Sequence, residues 1–287
     1  MSIYWLASYP KSGNTWFISF LKNYLRNETA PLSLRETGLD YIASSRAWID
    51  EVLGFGSGEL SEEEILRLRP AVYRWAGMSK DTTYHKVHDA YITLPSGEPL
   101  FPLEGMLGAV YILRNPLDVA VSYSHYYHCS LDKAIEDMGR NLSMSPSNNA
   151  RMNSQVRQRL LTWSQHVGSW SDAPGMRVEV VRYEDMKNSP MQTFSRAVRF
   201  LGFPDDDERL ARAIRHSGFD ELKAQEAEAG FPGLLPGVQC FFRKGVIGDW
   251  KNVLSNAQVE KIIADHGDVM QRFGYLDGQG RLVDFDE

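Results

Sequence analysis

Cysteine is scarce in this chain. Cys129 and Cys240 are the only two among 287 residues. Their spacing suits neither a disulfide framework nor a zinc site, and points to a reducing compartment, the cytoplasm. An excess of positive charge is also missing: 31 basic residues stand against 37 acidic ones, a net charge of -6. That balance argues against a nucleic-acid partner while leaving room for a local positive pocket. No apolar run approaches the roughly 18 residues of a membrane span. The first strand follows the N-terminus with no charged leader or cleavable apolar region. The HExxH, CxxC and EF-hand patterns are lacking. Asp205-Asp206-Asp207 reads as the solvated start of a helix, where acids complement the dipole. No metal is expected.

What is present is an alternation of strand-like and helix-like segments. Ile3 to Ala7 and Ala109 to Leu113 are continuous apolar runs, as in buried parallel strands. Tyr84 to His88 and Met176 to Val181 are further strand candidates. Helical patterns are read after residue 14, over Asp40–Val52 and Ser61–Trp75, from Pro116, around Leu160–Trp170, over Met191–Leu201, Asp206–His216 and Asn256–Phe273. Ser61 with Glu64 three residues on forms a capping box. A Gly/Pro-rich loop is expected from about 217 to Gly237. Residues 128–155 and 224–238 are read as mobile loops for substrate or cofactor. The fold class is α/β, a single domain over 1–287 whose central parallel sheet is flanked by helices and opens on a P-loop-like strand-loop-helix for phosphate.

That strand-loop-helix is the most informative stretch. Tyr9-Pro10-Lys11-Ser12-Gly13-Asn14-Thr15-Trp16 joins the first strand to the first helix, with Thr15 as the expected cap. Gly13 lets a ligand approach the backbone, and a lysine beside free helix amides attracts phosphate or sulfate. The order is not GxxxxGK[ST], because Lys11 precedes Gly13, so a magnesium nucleotide is not implied. Arg114 ends a buried strand, and Ser122 follows about two helical turns later. Arg243-Lys244-Gly245 places two adjacent cations before a glycine. Lys86 and His88 alternate on one strand face. A lysine beside a histidine favours the neutral imidazole a general base needs. His85 and His125 compete for that role.

Taken together and in order, these segments resemble the sulfotransferases that use 3'-phosphoadenosine 5'-phosphosulfate (PAPS), over residues 4 to about 260. Tyr9–Trp16 resembles that family's 5'-phosphosulfate loop. Arg114-Asn115-Pro116-Leu117-Asp118-Val119-Ala120-Val121-Ser122-Tyr123 resembles its 3'-phosphate element. Arg243-Lys244-Gly245-x-x-Gly248-Asp249-Trp250-Lys251 resembles its C-terminal loop. Tyr183-Glu184-Asp185-Met186 and Trp163-x-x-His166-Val167 are similar to further landmarks.

The resemblance implies sulfuryl transfer to a hydroxyl of a small molecule, with PAPS as co-substrate, PAP (3',5'-adenosine bisphosphate) as product and no metal. Lys11 would hold the phosphosulfate and steady the leaving oxygen. The amides of Ser12, Gly13, Asn14 and Thr15 would cradle the 5'-phosphate. Arg114, Ser122, Arg243, Lys244 and Gly245 would bind the 3'-phosphate. Trp16, Tyr183 and Phe219 would contact adenine. His88 would be the base, and Lys86 would assist. Asn14 replaces the usual threonine, as in bacterial natural-product members. Ser217-Gly218-Phe219 matches Thr-Ser-Phe in part. The dimer motif from Lys251 to Glu260 survives only at its ends, which leaves the oligomeric state open. Tyr41, Trp48, Phe55, Trp75, Tyr127, Phe231 and Leu234 suggest an apolar or aromatic acceptor. Two other classes stay open: a non-catalytic PAP-binding protein and a magnesium-dependent kinase.

Overall fold

The structure is a computed structural model and describes residues 2–36, 41–144, 154–231, 234 and 237–285. In chain order the elements are β1 (Ile3–Ser8), α1 (Asn14–Arg26), β2 (Tyr41–Ile42), α2 (Arg46–Leu53), α3 (Glu62–Ala76), β3 (Thr83–Val87), β4 (Met106–Leu113), α4 (Pro116–Tyr127) and α5 (Leu131–Met138). Then come β5 (Leu142–Met144), β6 (Gln158–Leu161), α6 (Trp163–Ser171), β7 (Val178–Arg182), α7 (Tyr183–Asn188), α8 (Pro190–Phe200), α9 (Asp207–His216), α10 (Phe219–Ala229) and α11 (Asn256–Arg272).

The central sheet has the order β2-β3-β1-β4-β7, with β1 parallel to β3 and β3 parallel to β2. Every residue of β1 is buried, and β4 is buried at all but one position. This is the pattern of a parallel strand covered on both faces. The register pairs Ile3 with Thr83 and Ala7 with Val87, so the next step along both chains brings Ser8 beside His88.

Contacts divide the chain into two compact units, each assembled from separate segments. The first holds residues 1–9, 39–111 and 140–180, and the second holds 10–38, 112–139 and 181–287. The first unit centres on Trp5, whose ring meets Tyr73, His85 and Phe101 edge-on or nearly so. Arg69 is fully buried there and paired with Asp89, and its Nε donates to the Tyr73 hydroxyl at 2.8 Å. A buried pair this well hydrogen-bonded offsets most of its desolvation cost, whereas removing one partner would strand a charge. The second unit packs α1 on α8 through Phe20 and Phe194, stacked at 3.9 Å.

Several elements depart from the sequence reading. Asp40, the expected start of a helix, lies outside the described residues; the segment after it forms β2 and then α2, capped by Ser45. Leu160 sits on β6, and α6 begins only at Trp163, after the Thr162 cap. The 128–155 segment is not all loop. Ser130 caps α5, whose Ala134, Ile135 and Met138 are buried on one face, and β5 pairs with β6. Residues 145–153 of that segment lie outside the described residues. Within the loop expected from about 217 to Gly237, residues 219–229 are instead α10. Its sequence, FDELKAQEAEA, consists almost wholly of good helix formers between Gly218 and Gly230. Of the 224–238 segment, 224–229 are therefore helical, and 232, 233, 235 and 236 lie outside the described residues.

Candidate active site

The Tyr9–Gly13 loop is built around two unusual backbone positions. Lys11 has φ 70° and Gly13 has φ 101°. A side chain rarely adopts such angles, and the strained lysine is the kind of outlier found at functional turns. Gly13, not Thr15, is the cap of α1, and it caps without a side chain. No acid stands in the first turn of α1, so the positive end of its dipole is not neutralised there. By contrast α3, α6 and α11 all begin with capping boxes. Thr15 is the second helical residue, half-buried beside the buried Asn14.

Gly13 is also sterically required. A Cβ there would lie 2.6 Å from Cδ2 of the Tyr183 ring. Gly13→Ala is therefore expected to destabilise the protein by about 1–3 kcal/mol, read as a lowered melting temperature. An unchanged melting curve would contradict this account of the loop. Gly245, at φ 62°, has the same constraint: a Cβ would meet the Phe219 ring at 2.2 Å.

The second unit draws three distant segments together. The Arg114 guanidinium donates to the Lys11 carbonyl at 3.5 Å and to the Val246 carbonyl at 3.0 Å. It also lies 4.2 Å from the Tyr183 ring centre. Tyr183 in turn meets Trp16 edge-on at 5.3 Å. The Lys11 ammonium stands 3.7 Å from the Tyr126 ring centre and 4.1 Å from that of Phe241. Arg243 and Lys244 both pair with Asp249, at 2.5 and 2.6 Å. Burial pushes the Asp249 carboxyl up, but the bonds from Lys244 and Arg243 outweigh it and hold it below its ordinary value. Phe219 opens α10 and packs on Phe242 as well as on Gly245. Ser122 sits half-buried on α4.

Sequence reasoning missed the residues that hold these groups in place. Asp118 accepts from the amides of Gly248 and Trp250, at 2.9 and 3.2 Å, and so ties the C-terminal loop to α4. Its i,i+4 spacing from Arg114 was the available signal. Glu184 accepts from the Asn115 amide and the Tyr275 hydroxyl, at 3.0 and 2.8 Å. Glu226 on α10 accepts from the amides of Phe241 and Phe242. Nothing local marks Glu226, because its partners are fifteen and sixteen residues on.

Around the Tyr9–Trp16 loop and Arg114, the buried Ser12 Oγ, Trp16 Nε1 and Arg114 Nε have no partner among the described residues; elsewhere in this unit the same holds for Ser19 Oγ, Arg212 Nε and Gln225 Oε1. A buried donor left unmade costs about 1–3 kcal/mol, so such groups in one neighbourhood call for a ligand. The first three can donate, and the Lys11 and Arg114 side chains beside them are cationic, a combination that suits an anion. Among the described residues no three His, Cys, Asp or Glu gather as a metal site, and no helix is long and apolar enough to cross a membrane.

Lys86 and His88 belong to the first unit. Lys86 is on β3, and burial lowers its amine to about 8. His88 follows the end of β3, and its Nδ1 lies 2.8 Å from the Ser8 carbonyl and 3.2 Å from the Ser8 hydroxyl. A carbonyl oxygen can only accept, so Nδ1 carries the proton, and in the neutral ring Nε2 is the basic nitrogen. His85 does not fit the role of base: it is buried against Trp5 and Trp48, and burial lowers it to about 3. His125 is exposed on α4, and burial and then Arg243 lower it.

Of the aromatic residues read for an acceptor, Trp48 is packed into the core against Tyr73, whereas Phe55 and Trp75 are exposed. Tyr127 meets Tyr126 at 5.0 Å, and Phe231 stacks on Phe241 at 4.2 Å.

Comparison with known proteins bears on this assembly. The family model for the sulfotransferase domain matches residues 3–274. Dog sulfotransferase 1A1 is 26% identical over 94% of this chain and 83% of its own length. Mouse sulfotransferase 1 family member D1 is 27% identical over 91% and 81%. Among solved structures, mouse sulfotransferase SULT7A1 complexed with PAP is 21% identical, covers 97% of this chain and 87% of its own, and superposes with a TM-score of 0.59. Retinol dehydratase in complex with retinol and PAP is 20% identical over 94% and 81%, again with a TM-score of 0.59. The α/β architecture is therefore shared with both. With a domain match running from β1 to beyond α11, the chain belongs to the sulfotransferase family, enzymes that take the sulfuryl group from PAPS, and is itself a sulfotransferase.

Proposed function

We propose that the protein transfers the sulfuryl group in line from PAPS to a hydroxyl of a small-molecule acceptor, with His88 as general base. The observation that carries the reading is the cluster of unsatisfied donors, Ser12 Oγ, Trp16 Nε1 and Arg114 Nε, beside a helix start without a side-chain cap and the cations Lys11, Arg114, Arg243 and Lys244. PAPS supplies an activated sulfuryl group and two phosphate-bearing ends, and these donors fit such a ligand. The loop amides from Ser12 to Thr15 hold the 5' end, and Lys11 places its charge where the leaving oxygen becomes negative. Arg114, Ser122, Arg243, Lys244 and Gly245 hold the 3' end, with Asp249 as the counter-ion of Arg243 and Lys244 in the free protein. Trp16, Tyr183 and Phe219 supply aromatic surface for the base. Nε2 of His88 takes the acceptor proton, and Lys86, mostly protonated at pH 7, adds positive charge for the transferring group.

The wall formed by Tyr126, Tyr127, Phe231 and Phe241 beside the Lys11 ammonium supports an aromatic or apolar acceptor, such as a phenol or a natural product. A screen with labelled PAPS against hydroxylated compounds tests the whole reading. Label is expected on phenols or apolar alcohols, equally with and without chelator. PAP binding without transfer to any compound would favour a non-catalytic role, and consumption of ATP with magnesium a kinase. Arg114→Ala is expected to weaken PAP binding at least tenfold while barely affecting the 3'-hydroxyl analogue. Equal weakening of both would remove Arg114 from the 3'-phosphate.

A further inference from the structure

His88 is held from two sides within the first unit, and the two holds meet in one closed ring of hydrogen bonds. Its side chain donates from Nδ1 to the Ser8 carbonyl at 2.8 Å. Its main-chain carbonyl lies 3.0 Å from Nε2 of His166, on α6. The other nitrogen of His166, Nδ1, lies 2.8 Å from the Tyr111 hydroxyl, on β4. The Tyr111 oxygen in turn accepts the main-chain N–H of Tyr9. That N–H and the Ser8 carbonyl are the two ends of one planar peptide group. Whatever fixes the N–H end therefore aims the carbonyl end at His88.

We propose that Tyr111 and His166 are positioning residues for His88: together they set its main chain, its ring orientation and the tautomer that leaves Nε2 as the proton acceptor. The proposal rests on the reading of His88 as the base.

The donors and acceptors in the ring are matched one to one. The His88 carbonyl can only accept, so His166 carries its proton on Nε2 and accepts at Nδ1 from the Tyr111 O–H. Tyr111 thus donates to His166 and accepts from Tyr9. The scheme needs a neutral His166. Complete burial supplies that, lowering the imidazole to about 4 against the opposing pull of the His88 carbonyl. The Tyr9 ring stands edge-on to His166 at 5.5 Å, so no water-sized gap intervenes on that side. Consecutive bonds of this kind polarise one another, and loss of a single hydroxyl is felt along the ring. The family resemblance singled out His166, within Trp163-x-x-His166-Val167, but left it without a role.

The test compares Tyr111→Phe, His166→Leu and His166→Gln with His88→Ala and with the parent enzyme. Tyr111→Phe and His166→Leu are expected to lower kcat about 10-fold or more, with KM for PAPS within twofold, because a small misplacement of a reacting group is costly. His166→Gln can still donate to the His88 carbonyl and is expected to recover most of the rate. Nitrogen-15 imidazole spectra should show His88 protonated at Nδ1 in the parent and mixed between tautomers in Tyr111→Phe. If His88→Ala is slow but Tyr111→Phe and His166→Leu keep the parent kcat, the positioning role is wrong. It is equally wrong if His166→Gln is as slow as His166→Leu while both melt lower by the same amount. Normal turnover in His88→Ala would instead overturn the base itself, a separate outcome.

Discussion

Lys11→Met is expected to slow turnover by about 10²–10³-fold while leaving the protein folded, the usual cost of removing one preorganised group aimed at developing charge. Methionine keeps an unbranched chain of similar length, so the change removes charge more than shape. The strained φ of 70° belongs to the main chain and survives the substitution. What is lost is an ammonium held 3.7 and 4.1 Å from the centres of two aromatic rings. Those rings orient the cation. In the free protein the contact is worth about 0.5–2 kcal/mol, which sets the scale of any change in stability. Steady-state kcat should therefore fall far more than PAP affinity measured by calorimetry. Lys11→Arg keeps the charge but spreads it over a plane, and should restore only part of the rate. A kcat for Lys11→Met within threefold of the parent would remove Lys11 from the transition state.

The buried centre of the fold was readable because the physics there is local. β1 and β4 are unbroken apolar runs, and a parallel strand covered on both faces admits little else. Ser61 and Glu64 form the reciprocal cap that their spacing implies. The misreadings share one cause, dilution of a short signal by its surroundings. The eight residues of α5 stand between polar stretches, and α10 is followed at once by glycine and proline. Two-residue β2 has no periodicity to detect: its strand character comes from pairing with β3.

The site divides in the same way. Groups that would face a ligand stand in contiguous motifs, since loop, strand end and helix start must be covalently close to act together. Lys11, Arg114 and the Arg243–Gly245 turn were legible for that reason, and the 3.5 Å approach of Arg114 to the Lys11 carbonyl joins two of those motifs. Groups that hold the motifs were not legible. Asp118 reaches across 130 residues to Gly248, and Tyr111 is 55 residues from His166. Only the tertiary fold creates those pairs. Thr15 was the natural cap by residue type, yet the chain caps α1 with Gly13. A side-chain oxygen in that place would compete with an incoming anion for the same amides.

His88→Ala should lose about 10²–10⁴ in kcat, the ordinary contribution of a positioned general base. Geometry gives the sign of its pH dependence. The Ser8 carbonyl requires a proton on Nδ1, so deprotonated His88 has its lone pair on Nε2, and protonation there abolishes its function. The kcat/KM of the parent should therefore fall at acid pH once that nitrogen is protonated, and this acid limb should be absent from His88→Ala. PAP binding should be unchanged, because His88 is assigned to the acceptor hydroxyl and not to the nucleotide. The rival histidines separate cleanly. His85, lowered to about 3 by burial, could produce no limb near neutrality. His125 is exposed on α4, so His125→Ala is the decisive companion. If that variant loses the acid limb while His88→Ala keeps it, the base is on α4 and not at the end of β3.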